Sequence, residues 1–123
     1  MTVPDPRAVV LEHVAAFNAH DSKRLLAGFA PGAVWATGAD MFRTTDELTT
    51  LFDPWLWTLE PSLDVRTLLV SGAAAAAELR EELIVDGKRR SFDIGVFFVV
   101  EDGLIVRAKV YREGSADLDG SRT

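Results

Sequence analysis

The chain has 123 residues, of which 48% are apolar, and it carries a formal net charge of −6 at pH 7 and no cysteine. This length predicts a single domain, 1–123, with one core. The missing cysteines exclude disulfides and thiolate chemistry, and the negative charge argues against nucleic acid or a membrane surface as partners. Because the sequence has no basic leader and no long apolar segment, we expect a cytoplasmic protein.

The first part of the chain shows helix signals. Asp5 can cap a helix with Pro6 at its first position, and Asp21 can cap a second, short helix that stops at Pro31-Gly32. Residues 33–37 then predict a short strand, and Asp40 is expected in the loop that follows it.

A third helix is predicted after this loop. Thr44 and Glu47 have the spacing of a capping box, in which each residue satisfies a backbone amide near the other. Pro54 is expected to kink this helix or to restart it with Asp53 as a new cap. The apolar stripe of the helix consists of Leu48, Leu51, Phe52, Trp55, Leu56 and Leu59.

The second half of the chain predicts four strands, at residues 63–71, 74–85, 92–100 and 104–111. Gly72, Asp86-Gly87 and Asp102-Gly103 separate them and are typical of tight turns. Helices followed by an antiparallel meander indicate an α+β fold. We expect an ordered core at about 5–113, followed by a polar tail at 114–123.

His13 is an ionisable residue on the apolar side of the first helix, at helical spacing from Val10, Val14 and Phe17. A buried imidazole is a candidate for acid–base chemistry. The same position also suits a core histidine that only bonds to a neighbour. The chain has two histidines and no pairing at ligand spacing, so it predicts no metal site.

The sequence resembles the nuclear transport factor 2-like, or SnoaL-like, superfamily. The matching stretches are residues 9–21, residues 26–34 around Phe29-Ala30-Pro31-Gly32, and residues 96–106 before Tyr111. The resemblance implies three N-terminal helices packed on a strongly curved antiparallel sheet, which form a cone with an internal apolar pocket. It also implies homodimerisation through the sheet.

Two enzymes of this superfamily suggest roles for single residues. In the resemblance to ketosteroid isomerase, His13 takes the place of a tyrosine that donates a hydrogen bond to an oxyanion, while Thr37 and Val96 stand where that enzyme has aspartates. In the resemblance to limonene epoxide hydrolase, Arg80 and Glu82 match an Arg-x-Asp pair, and Val110 stands where that enzyme has a further aspartate.

Strand periodicity decides which carboxylate faces the implied pocket. A two-residue turn at Asp86-Gly87 aligns Leu79 with Ile94, Glu81 with Phe92 and Arg80 with Asp93. Glu81 then lies on the apolar, pocket-side face, either as an acid–base group or as a solvated carboxylate at the rim. A three-residue turn would instead bring Arg80 and Glu82 into the pocket.

These observations lead to a hypothesis of a cofactor-independent isomerase, cyclase or dehydratase that acts on a small apolar, polyketide- or steroid-like ligand. His13 and Glu81 are its candidate catalytic residues, and Asp40 is a candidate displaced base. An epoxide hydrolase that uses Arg80 and Glu82 and a non-catalytic binding or dimerisation module are the alternatives. The expected pocket-lining residues are Phe17, Trp35, Thr37, Met41, Phe42, Phe52, Trp55, Val96, Phe98 and Val110.

Overall fold

The computed structural model describes residues 4–37, 40–43 and 45–112. Thr44 of the expected capping box and the expected tail at 114–123 therefore lie outside the described residues. The helices are α1 (Pro6–Asn18), α2 (Ser22–Leu26), α3 (Thr45–Leu51) and the one-turn α4 (Pro54–Trp57). The strands are β1 (Phe29–Thr37), β2 (Asp40–Phe42), β3 (Ser62–Ser71), β4 (Ala74–Val85), β5 (Lys88–Glu101) and β6 (Leu104–Arg112).

The strands form one six-stranded sheet in the order β2-β1-β6-β5-β4-β3. The sheet is mixed, because β1 runs parallel to β6 while every other pair is antiparallel. The expectation of a purely antiparallel sheet was thus wrong, since tight turns specify the direction of sequential strands but not of β1 and β6, which are distant in sequence. The fold class α+β is confirmed, whereas the arrangement of three N-terminal helices, the strong curvature of the sheet and the cone shape are not confirmed.

Two further expectations in the first half are corrected. β1 begins at Phe29, and Pro31-Gly32 lies within it at an irregularity in the pairing with β6, where Gly32 has a positive φ of 75°. Asp40 is not a loop residue but opens β2, which pairs with β1 as a short hairpin. The irregular start of β1 and the three residues of β2 carry too little alternation to be recognised from sequence.

The helix caps follow the sequence. Asp5 accepts a hydrogen bond from the Ala8 amide at 2.9 Å, and Asp21 accepts one from the Arg24 amide at 3.0 Å. Asp53 caps α4, so Pro54 restarts the helix as predicted. Because each cap satisfies an amide that the helix leaves unpaired, these aspartates fix where the helices begin.

The hairpin of β4 and β5 has the predicted register. Asp86 and Gly87 have φ values of 53° and 76°, which is the backbone of a two-residue turn that matches strand twist. Arg80 therefore lies opposite Asp93, and Glu81 lies opposite Phe92. The three-residue turn is wrong, and this decides which residues face the helices.

The helices cover one face of the sheet and enclose the core. α1 contributes its Val9, Val10, Val14 and Phe17 side chains, and its end is fixed to β3 by Asn18, whose amide group bonds both Leu63 N and Leu63 O at 2.7 and 2.9 Å. Within the described part of the chain, no helix is long and apolar enough to span a membrane.

Candidate active site

A cavity of about 110 Å³ lies between the helices and the covered face of the sheet, and we call it the central cavity. Its strand residues alternate along β4, β5 and β6, as expected for one face of a sheet. The lining consists of His13, Phe17, Trp35, Thr37, Leu51, Phe52, Leu56, Leu63, Leu79, Glu81, Ile94, Val96, Phe98, Val110 and Arg112. Most of these side chains are apolar, so the few polar groups stand out as the sites of chemistry.

His13 lies on the wall of this cavity within a cluster of aromatic rings. It is 6% exposed, and its ring centroid is 5.5 Å from that of Trp35 and 5.7 Å from that of Phe98. Phe29 and Phe52 contact it edge-on. Its Nδ1 atom is buried and has no hydrogen-bond partner among the described residues.

This apolar environment changes the acidity of His13. Burial lowers the pKa of the imidazole from 6.5 to about 4, because the charged form loses its hydration without gaining a partner. His13 is therefore neutral at pH 7, with one nitrogen able to donate and the other able to accept a hydrogen bond. A neutral imidazole in a low-dielectric wall suits a donor to a developing oxyanion.

Glu81 and Arg112 form an ion pair at the same cavity. Glu81 is 7% exposed on β4, and its Oε1 accepts a hydrogen bond of 2.6 Å from Nη1 of Arg112 on β6. The guanidinium balances the charge of a buried carboxylate and fixes its orientation. No hydrogen bond engages the other oxygen, Oε2, within the described ranges.

The alternative pair lies on the opposite face of the sheet. Arg80 forms an ion pair with Asp93 at 3.1 Å, and Glu82 forms one with Arg89 at 3.0 Å. Neither residue lines the central cavity. The central cavity therefore lacks the Arg80 and Glu82 side chains that the epoxide hydrolase alternative requires.

The structure separates the expected lining residues into two groups. Seven of them line the cavity: Phe17, Trp35, Thr37, Phe52, Val96, Phe98 and Val110. Met41 and Trp55 are instead exposed, and Phe42 packs against the core without reaching the cavity. Asp40 is exposed at the start of β2 and also lies outside the lining.

The position of Trp55 has a physical reason. The expected stripe assumed one continuous helix, whereas α4 restarts at Pro54 and changes the helical phase. Trp57 faces inward instead, where it stacks on His20 at 5.0 Å and donates to Ser22 Oγ at 2.7 Å. Trp57 is therefore the aromatic side chain of α4 that packs against the end of α1 and the start of α2.

Arg112 is the important residue that the sequence interpretation missed. The predicted last strand ended at Tyr111, one residue too early, although alternation from Ala108 through Val110 places residue 112 on the cavity face. Alternation along β5 likewise places Ile94 on the same cavity face as Val96. An arginine at the end of an otherwise apolar series is the signal that was available.

Comparisons with known proteins agree with this fold. The model of the SnoaL-like domain family matches residues 10–108. No curated protein matches the chain. Three solved structures illustrate the likeness, and at 16–22% identity they show the fold alone.

The first is an LEH-like epoxide hydrolase from M. tuberculosis, which is 22% identical with a TM-score of 0.78 over 85% of this chain and 80% of its own. The second is the epoxide hydrolase/cyclase-like enzyme SalBIII of pyran ring formation in polyether salinomycin, 18% identical with a TM-score of 0.79 over 87% and 89%. The third is TerC, co-crystallised with polyporic acid, 16% identical with a TM-score of 0.76 over 85% and 88%.

Proposed function

Because the chain belongs to the SnoaL-like domain family, we propose that it is a cofactor-independent enzyme that performs acid–base chemistry on a small apolar substrate in the central cavity. The reaction class is isomerisation, cyclisation or dehydration of a polyketide- or steroid-like molecule. The cavity is then the interior of the cone that the resemblance implies. The observation that carries the proposal is Glu81, the one buried carboxylate among the described residues, which lines the same cavity as the neutral His13.

In this mechanism Glu81 is the proton-transfer group. Its Oε2 takes a proton from a carbon next to a substrate carbonyl and returns it to a second position, while Oε1 stays bonded to Arg112. His13 donates its N–H to the carbonyl oxygen as negative charge develops there. Arg112 is a positioning residue, since its guanidinium contacts Glu81. The apolar lining excludes water and strengthens both interactions.

The proposal predicts that Glu81→Gln stops proton transfer. We expect the wild-type protein to exchange deuterium from D₂O into the position next to the carbonyl of some members of a panel of cyclic ketones, as followed by proton NMR. Glu81→Gln should lower this rate by about 100-fold or more, because an amide cannot accept the proton. The matched control is Glu82→Gln, since Glu82 lies on the other face of the sheet.

Two results would contradict the proposal. An unchanged exchange rate in Glu81→Gln would remove Glu81 from the chemistry. Ligands that bind in the cavity of the wild-type protein without any exchange or turnover would favour the non-catalytic binding module instead.

We also propose that the protein is a homodimer that associates through the uncovered face of the sheet. Phe97 and Tyr111 are 58% and 53% exposed there, and their rings contact each other at 5.8 Å. Lys109 lies 5.1 Å above the Tyr111 ring. Exposed neighbouring aromatic rings are typical of the centre of a protein interface.

Sedimentation tests this second proposal. We expect the wild-type protein to sediment as a dimer at about 10 μM and Phe97→Glu to sediment as a monomer, because a charged side chain would replace an aromatic ring at the centre of the interface. Leu11→Glu is the control, since Leu11 is also exposed but lies on α1. A monomeric wild-type protein, or equal effects of the two substitutions, would overturn the proposal.

A further inference from the structure

The guanidinium of Arg112 keeps one edge free of hydrogen bonds. Its Nη1 donates to Glu81 Oε1, and within the described ranges neither Nε nor Nη2 forms a hydrogen bond. The ion pair of Arg24 and Glu12 shows what this edge can hold, because there Nε and Nη2 bond the two carboxylate oxygens at 2.6 Å each. Arg112 can therefore hold a second carboxylate in the same two-bond geometry without releasing Glu81.

This free edge lies at the border between the central cavity and solvent. Arg112 lines the cavity, and its Nη1 is fixed there by the contact with Glu81, whose side chain is 10% exposed. The Arg112 side chain itself is 48% exposed, so its guanidinium extends from the buried carboxylate toward the surface. Among the described residues of this lining, Arg112 is also the one positive charge, since His13 is neutral at pH 7. An anionic group at the cavity entrance would thus meet a cation that is already held in place.

The other charged groups around Arg112 favour an anion that comes from the cavity side. On the outer side Arg112 borders a depression with Glu78 and Asp93, whose carboxylates would repel an anion. Asp93 is paired with Arg80, so it does not compete for Arg112. On the cavity side Glu81 is the one carboxylate of the described lining, and Arg112 balances its charge. A ligand with an apolar body and one carboxylate fits this distribution, because the body fills the apolar cavity while the acid stays at its entrance.

We propose that the substrate is an apolar oxo acid whose carboxylate binds Nε and Nη2 of Arg112. This inference rests on the proposed function, which places the substrate carbonyl at His13 and proton transfer at Glu81. Since Glu81 and the bound acid contact the same guanidinium, the carbon that gives up its proton lies close to the carboxylate in the substrate. Arg112 then has two roles, because it orients Glu81 and also selects acids over neutral molecules of the same shape.

Matched pairs of acids and amides test the selection for an anion. Cyclohexanecarboxylate and cinnamate are apolar acids without a ketone, so they bind without reacting, and their primary amides have nearly the same size and shape without the charge. Isothermal titration calorimetry at pH 7 measures the affinity of each compound for the intact protein. The ratio of acid to amide affinity isolates the contribution of the carboxylate, because the apolar body is the same in both compounds.

The variants compare proteins that differ at one arginine only. Glu81→Gln serves as the background, because removing Arg112 alone would leave the buried Glu81 carboxylate without its partner. Arg112→Gln in this background removes the guanidinium from the cavity. Arg107→Gln in the same background is the matched control, since Arg107 is an exposed residue of β6 that does not line the cavity.

We expect the wild-type protein to bind the acids about tenfold or more tightly than their amides. Glu81→Gln should strengthen acid binding by about threefold or more, because it removes a negative charge next to the guanidinium. Adding Arg112→Gln should reduce the acid preference to below about twofold. Adding Arg107→Gln should leave the preference unchanged.

Three results would overturn the inference: equal or weaker binding of the acids, no binding of either compound, and an acid preference that survives Arg112→Gln. The proposed function fails separately, because binding of these acids involves no proton transfer. Glu81→Gln is expected to lose substrate deuteration while it gains acid affinity. Unchanged deuteration in that variant would contradict the proposed function and leave the acid preference intact.

Discussion

Replacing His13 by leucine should make the protein resistant to mild acid. The pKa of His13 is lowered by burial from 6.5 to about 4, so the folded state binds fewer protons at this site than the unfolded state between these two values. Stability therefore falls as the pH decreases through this window and is not affected by His13 above it. Between pH 7 and pH 4, the loss due to His13 amounts to about 3 kcal/mol of the free energy of unfolding.

His13→Leu removes this loss because leucine does not titrate. At pH 7 the variant should be as stable as the wild type or more so, by about 1 kcal/mol, since an unpaired buried nitrogen is replaced by an apolar group of similar size. As the pH falls from 6.5 to about 4, the difference should grow in favour of the variant. Urea unfolding at pH 7, 6, 5 and 4 measures both effects.

His20→Gln is the matched control for this series. His20 stacks on Trp57, and its Nε2 lies 2.9 Å from the Pro61 carbonyl, in a partly exposed environment. The His20→Gln variant keeps His13, so it should keep the loss of stability that His13 causes between pH 7 and pH 4. Parallel pH curves for the wild type and His13→Leu would show that His13 titrates normally in the folded protein.

The sequence was most informative where its pattern repeats regularly. Alternation along β4, combined with the Asp-Gly turn at Asp86, was sufficient to place Glu81 on the covered face and Arg80 on the other. The helical spacing of Val10, His13 and Phe17 placed the imidazole inside the molecule. In both cases an adjacent residue, Glu12 beside His13 and Arg80 beside Glu81, is more exposed, so the pattern carries the information.

The sequence was less informative where distant segments meet. Nothing local to β1 shows that it lies beside β6 and parallel to it, because some 70 residues separate the two strands. The ion pair of Glu81 with Arg112 likewise joins two strands that are not neighbours in the sheet. Side chains reach across β5 at this point. Alternation along β6 can place Arg112 on the cavity face, but it does not pair Arg112 with Glu81.

The pair Glu81–Arg112 provides the second large effect on stability. Arg112→Met should cost about 2–3 kcal/mol, because it leaves a buried carboxylate without its 2.6 Å partner. This predicted cost is at or below the lower end of the range found when one partner of a buried ion pair is removed, because about half of the Arg112 side chain is exposed. Chemical denaturation at pH 7 measures the change.

The outer pair Arg80–Asp93 is the matched comparison, since it also joins an arginine to a carboxylate, across neighbouring strands of the same sheet. Both of its side chains are more than 30% exposed, so Arg80→Met should cost less than about 1 kcal/mol. Equal costs at the two arginines would mean that Glu81 is hydrated or protonated in the variant and does not need Arg112.

A double-mutant cycle then separates the ion pair from the other contacts of Arg112. Glu81→Met in the Arg112→Met background removes the unpaired charge and should recover most of the lost stability, because two apolar groups now meet. Arg112→Lys keeps the positive charge and should recover part of it, with a lower rate of substrate deuteration, since a lysine does not fix the carboxylate as a guanidinium does. Partial recovery of both stability and the deuteration rate by lysine is the result expected of a positioning residue, whereas the double variant, which lacks Glu81, should recover stability alone. A deuteration rate that neither Arg112→Met nor Arg112→Lys changes would assign Arg112 a purely structural role.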